Sequence, residues 1–133
     1  MRIILDTNIW ISYLISKELF WIDNFFKLND FELLFSDRLL SEFFRVIQRP
    51  KIKKYFTKEK LDQLIDRFED YGTMIEPKSK IQQCRDSNDD FLLELAIDGK
   101  ADYLVTGDND LLVLETIGDC KIITLKTLKE IQN

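Results

Sequence analysis

Four short apolar runs most limit how this chain can fold: residues 2–5 (RIIL), 31–35 (FELLF), 103–105 (YLV) and 121–123 (KII). Each is too short for a helix, and apolar residues at consecutive positions mean that both faces of the extended chain are buried. Residues 73–76, closed by Pro77, supply a further strand candidate. Helical spacing fills the gaps at 8–16 and 19–28, then from Ser36 or Asp37 to about Gln48 before Pro50. Thr57 caps a helix ending at Gly72, with Leu61, Leu64, Ile65 and Phe68 at core spacing. Another runs from Asn88 or Asp89 to Asp98 with Gly99 as its stop, and the last two cover 110–117 and 125–131. Residues 51–56 read as a basic connector. Strands alternating with helices predict an α/β domain whose mostly parallel central sheet is covered by helices on both faces. The 133 residues contain no linker or repeat, so residues 1–133 are expected to form a single domain.

That sheet type decides where chemistry belongs. Ligands of open parallel sheets lie beyond the carboxyl ends of the strands, near the point where strand order reverses. Asp6 follows the first strand and Asp108 follows YLV, which puts both acids on one rim. The chain has no histidine, which removes Ser–His, Cys–His and helical two-His zinc chemistry. Its four glycines lie singly at 72, 99, 107 and 118, so there is no Gly-rich phosphate loop. Chemistry must come mainly from carboxylates.

Each acid also has a plain structural use. Asp6-Thr7-Asn8 can cap a helix. Glu42, at the edge of the face formed by Leu39, Leu40, Phe43, Val46 and Ile47, can pair with Arg45 at i+3. Asp89 and Asp90 favour a helix N-terminus, although together with Asp86 they are denser than capping needs and a cation would offset their repulsion. Asp108 and Asp110 suit the turn T-G-D-N-D. Net charge is −5, yet Arg45, Arg49, Lys51, Lys53, Lys54, Lys58 and Lys60 fall within sixteen residues that hold one acid, Glu59. This stretch is either a surface for a polyanion backbone or a solvated helix face.

No run of about 18 apolar residues suggests a membrane span. Asp6 and Asn8 interrupt the apolar N-terminus and no small-residue cleavage site follows, so a cytoplasmic protein is expected. Cys84 and Cys120 fit no metal spacing and are expected as free thiols. The aromatics of 20–26 serve either the core or a homodimer or partner surface.

The segments ILDTNIWIS (4–12), LLSEFFRVIQRPK (39–51), DSNDDFLLELAIDGKADYLVTGD (86–108) and KIITLKTL (121–128) together resemble the PIN-domain family, in particular its toxin components of toxin–antitoxin systems. The match spans almost the whole chain in the family's order. It implies a three-layer PIN-like fold. Asp6, Glu42, Asp90 and Asp108 become the metal-holding catalytic acids, with Asn8, Thr106, Asp86, Asp89 and Asp110 in supporting places. Family members are typically Mg²⁺- or Mn²⁺-dependent ribonucleases, and many are silenced by an antitoxin. In many such toxins the residue before the last acid is basic or polar; here it is Gly107.

An oxygen-only ligand set favours Mg²⁺ or Mn²⁺ over Zn²⁺. With no His base, a metal-activated water is the simplest nucleophile for cutting single-stranded RNA. Arg45, Arg49, Lys51, Lys53 and Lys54 are the backbone-contact candidates. Other α/β phosphoryl-transfer domains fit less well. A haloacid-dehalogenase-like phosphatase wants an acid where Asn8 stands, and a response-regulator receiver wants an acceptor Asp after a mid-chain strand, where Glu76-Pro77 stands. The competing class is a PIN-like module that grips RNA or protein without cutting.

Overall fold

The computed structural model describes residues 1–16, 21–28, 32–78, 80 and 89–132. In chain order its elements are β1 (Arg2–Leu5), α1 (Thr7–Ile15), α2 (Trp21–Leu28), β2 (Glu32–Phe35), α3 (Asp37–Ile47), α4 (Pro50–Lys53), α5 (Lys58–Tyr71), β3 (Gly72–Met74), α6 (Asp90–Asp98), β4 (Tyr103–Val105), α7 (Asn109–Leu112), β5 (Thr116–Ile117), β6 (Cys120–Ile123) and α8 (Leu125–Gln132). One six-stranded sheet has the order β3-β2-β1-β4-β6-β5. All pairings are parallel except that of the edge strand β5 with β6.

The three-layer build follows from side-chain alternation. Ile3, Ile4 and Leu5 are all at most 1% exposed, and successive strand residues point to opposite faces, so both faces of β1 are covered. β2 shows by what. The Phe35 ring meets Trp10 of α1 at 5.4 Å and Phe68 of α5 at 5.0 Å between centroids. Its neighbour Leu34 points the other way, where its Cδ1 lies 2.7 Å from the place a Cβ on Gly99 would occupy, at the end of α6. Helices α1 and α5 therefore lie on one face and α6 on the other.

Gly72 joins α5 to β3 with no intervening loop. A Cβ there would run into the Phe68 carbonyl oxygen and come within 2.8 Å of Phe68 Cδ2. Gly72→Ala should therefore cost about 1–3 kcal/mol through overpacking. Urea unfolding should show a lower midpoint at an unchanged slope. A midpoint equal to wild type would mean that the helix end shifts freely.

Several sequence expectations need correction. Residues 51–56 are not simply a connector, since Pro50–Lys53 forms a short helix with Pro near its start. Proline lacks only an N–H that the first turn leaves unused, so it begins α4 as well as ending α3. The helix expected over 110–117 stops at Leu112, and Thr116–Ile117 is a strand. Glu115 takes a left-handed φ of 64° that ends helical winding, and Gly118 at φ 57° opens a two-residue hairpin turn between β5 and β6. The third strand covers 72–74 rather than 73–76. Ile65 is 52% exposed, while Leu64 carries the buried face of α5.

Phe25 is almost fully buried and Trp21 packs edge-on against it, so these two aromatics serve the core. Cys120 is a buried free thiol whose pKa burial pushes up to about 12, which makes it inert at neutral pH. Phe20, Phe31, Cys84, Asp86 and Asn88 lie outside the described residues. Among the described residues, no helix is long and apolar enough to cross a membrane.

Candidate functional site

Strand order reverses at β1, which has β2 on one side and β4 on the other. At the carboxyl end of this switch the Asp6 N–H donates to the Val105 carbonyl at 3.0 Å, pinning the two strand ends together. Asp6 then caps α1: its Oδ1 accepts the Thr7 N–H at 2.6 Å.

Thr106, fully buried, links the two strand-end acids. Its Oγ1 accepts the Asp108 backbone N–H at 3.1 Å and faces Asp6 Oδ2 at 2.8 Å. A backbone N–H can only donate, so the single hydroxyl proton of Thr106 is left for the Asp6 carboxylate. Asp108 in turn caps α7, with Oδ1 accepting the Asp110 N–H at 2.9 Å. Asp6 and Asp108 thus meet on one rim as expected from the sequence, and Thr106 fixes their spacing.

Glu42 comes from α3 at the edge of its buried face. Its carboxylate accepts from Arg45 Nε at 3.2 Å and Nη2 at 2.5 Å, the i+3 pair anticipated from spacing. Burial pushes the Asp6 carboxyl above its ordinary pKa. Hydrogen bonds from Thr106 and Thr7 oppose this, while the charges of Asp108 and Glu42 add to it. Three acids therefore share one electrostatic neighbourhood.

They open onto a cleft of about 110 Å³ whose wall includes Asp6, Thr7, Asn8, Glu42, Arg49, Asp89, Phe91 and Asp108. Asp89 forms the wall at the start of α6. Asp90, one position on, is only 7% exposed and does not line this cleft. Of the five basic candidates, Arg45 is taken up by Glu42 and Arg49 borders the cleft. Lys51 and Lys53 are exposed on α4, and exposed Lys54 sits at its C-cap with its Nζ over the Tyr55 ring. Gly107 leaves open space around a Cβ position, so this rim tolerates a side chain.

Thr7 is a site residue that the sequence reading passed over. Its Oγ1 is buried and has no hydrogen-bond partner among the described residues, and the residue borders the cleft beside Asp6. A hydroxyl in this place is available to a ligand or to water in the cleft. Its position inside D-T-N was the available signal, hidden because Thr also suits a helix start.

Among the described residues no three acids stand ready-made as a metal cage. The donor chemistry nevertheless fits a hard cation: carboxylate oxygens, one unpartnered hydroxyl, and a carboxylate whose neighbours raise the cost of its charge.

Comparison with known proteins agrees with the fold. A family model described as PIN domain fits residues 2–110. Uncharacterized protein MJ1680 of Methanocaldococcus jannaschii is 27% identical over 123 residues, covering 86% of this chain and 75% of that protein. Among solved structures, a chain of VapBC2 from Rickettsia felis, crystallised with a DNA fragment from its promoter, superposes with a TM-score of 0.59 at 20% identity. That match covers 93% of this chain and 98% of the other, and establishes a shared fold.

Proposed function

Because the chain belongs to the PIN-domain family, we propose that the cleft is the active site of a Mg²⁺- or Mn²⁺-dependent endoribonuclease that cuts single-stranded RNA. We propose further that it acts in the cytoplasm as the toxin of a toxin–antitoxin pair. The observation that carries this reading is the Thr106 bridge, which seats Asp6 and Asp108 together at the topological switch beside the unpartnered Thr7 hydroxyl.

Asp6, Asp108 and Glu42 would hold the metal, with Asp90 or its neighbour Asp89 closing the set from the α6 side. When bound, a divalent ion supplies Lewis-acid charge for the phosphate and lowers the pKa of the attacking water. The chain's own residues do the rest. Thr106 and the Thr7 N–H keep Asp6 oriented, Asn8 offers an exposed amide at the cleft, and Arg49 supplies positive charge at its border. The likeness to a chain of the VapBC2 complex supports an antitoxin partner for this protein.

Incubating the protein with a defined RNA and Mn²⁺ should give fragments with 5′-phosphate and 3′-hydroxyl ends, and excess chelator should stop the cutting. Products ending in 2′,3′-cyclic phosphate would rule out attack by water. The second reading, a module that binds RNA or protein without cutting, is favoured by one observation: Arg45 already engages Glu42. Chelator-insensitive binding with no cleavage would select it.

The basic helix α4 is the proposed track for the RNA backbone. Reversing charge at both Lys53 and Lys54 should lower the slope of log affinity against log salt by roughly 1.4, at about 0.7 per lost single-strand phosphate contact. An unchanged slope would take α4 out of the interface.

A further inference from the structure

We propose that a second pocket beside the acidic cleft seats a guanine base of the RNA, next to the phosphate to be cut; this rests on the nuclease reading above. The pocket is about 260 Å³ and shares Phe91 with the cleft. Strand register places it on the same rim. Ile3 pairs with Leu33, so Leu5 stands level with Phe35, and Phe35 pairs with Met74. The chain leaving β2 at Ser36 and β3 at Ile75 therefore emerges beside Asp6, one and two strands over.

The walls have the chemistry of a nucleobase slot. Ile75, Pro77 and Phe91 are half-buried and supply apolar faces. The Arg38 guanidinium is held 5.1 Å from the Phe91 ring centroid, within the roughly 6 Å range of a cation–π contact. Arg38 is exposed and makes no ion pair among the described residues, so its fork of donors is open to a ligand. Exposed carboxylates of Asp37 and Glu76 face the same pocket and can only accept.

Guanine matches that layout most fully, because its paired acceptors and its paired donors lie on different edges. Cytosine carries its N4–H₂ donor on the same edge as its N3 and O2 acceptors. Guanine presents O6 and N7 as paired acceptors for an arginine fork and has N1–H and N2–H groups for a carboxylate. Adenine would turn an acceptor nitrogen toward the carboxylates, and uracil brings two carbonyls with a single donor between them. Splayed single-stranded bases are read in this manner, stacked on aromatic or guanidinium planes and bonded along their edges.

The test uses wild-type protein in EDTA with fluorescent uridine decamers carrying one central G, A or C, read by anisotropy. The G decamer should bind about tenfold tighter than the others, the scale of one good stacked and bidentate contact. Arg38→Ala and Phe91→Leu should each bring it down to the common level. Arg38→Ala should keep the Mn²⁺-induced rise in Tm, which shows a folded protein with its acidic site intact, and Phe91→Leu should keep a single cooperative melting transition. Equal binding of all decamers, or a G preference surviving Arg38→Ala, overturns the subsite and leaves the nuclease reading standing. Failure to bind any decamer also overturns it, and the nuclease reading then falls only if Mn²⁺-dependent cleavage is absent as well.

Discussion

Asp6→Asn should lower RNA cleavage by about 10²–10³-fold, the usual effect of deleting one preorganised electrostatic group, and should leave a folded protein behind. The amide is isosteric and still caps a helix. Its oxygen can accept the Thr7 N–H as the carboxylate does at 2.6 Å, and the Thr106 hydroxyl can turn to accept from its NH₂. What disappears is charge. With the proposed metal at a hundred times its Kd, the wild-type fold should gain about 2.7 kcal/mol, worth roughly 10 °C in Tm for a chain of this size. That rise should be absent in Asp6→Asn.

Without metal the sign reverses. Burial, aided by Asp108 and Glu42, raises the folded pKa of Asp6 above the ordinary 3.8, so the folded chain holds its proton more tightly than the unfolded chain does. The resulting stability is complete below the unfolded pKa and is lost as pH climbs through the folded one. At pH 7 the charge is a standing cost, and metal-free Asp6→Asn should melt a few degrees above metal-free wild type. Scanning fluorimetry with EDTA and with Mn²⁺ reads both effects. An equal Mn²⁺ response in the two proteins would sink the site.

The two acids at strand ends were legible because a buried run followed by Asp marks the carboxyl end of a strand, and in a parallel sheet those ends share one rim. Glu42 was legible as an edge residue of α3 from the 3.6-residue period of the helix, and its i+3 partner Arg45 came with it. Asp89 and Asp90 were harder. Successive helical residues diverge by about 100°, so a one-residue uncertainty in where α6 starts decides which acid meets the cleft. The structure puts Asp89 on the wall and Asp90 nearly out of solvent.

The hairpin of β5 and β6 was missed although Gly118-Asp119 between T-I and C-K-I-I is a hairpin signal. The apolar residues of 111–117 also satisfy a helix, and only the left-handed turn at Glu115 decides between the two. Arg38 and Phe91 lie far apart in sequence and meet only because α3 and α6 pack together. No spacing rule reaches that far.

Thr106→Val should be the most damaging of the conservative changes at the site. Valine matches threonine in shape, so packing around this fully buried position is kept and only the hydroxyl is lost. Two groups then lose their partner: Asp6 Oδ2, which accepts at 2.8 Å, and the Asp108 N–H, which donates at 3.1 Å. Both groups are half-buried at the rim of the cleft, so each loss falls toward the low end of the roughly 1–3 kcal/mol that an unsatisfied polar group costs. Even about 2 kcal/mol in all would lower Tm by roughly 8 °C.

Activity should fall about 10–100-fold, as when an outer hydrogen bond to a metal-holding carboxylate is cut. The hydroxyl also opposes the rise in the Asp6 pKa, so its loss should carry that pKa higher still. The acidic limb of the pH–rate profile should then move toward higher pH. Thr106→Ser separates this from a packing effect. It keeps the hydroxyl and gives up one methyl, so it should return the wild-type pH profile at a cost of about 1 kcal/mol in stability. A wild-type pH profile in Thr106→Val would show that Asp6 and Asp108 are positioned without the bridge, and their placement would then rest on the strand ends and helix caps alone.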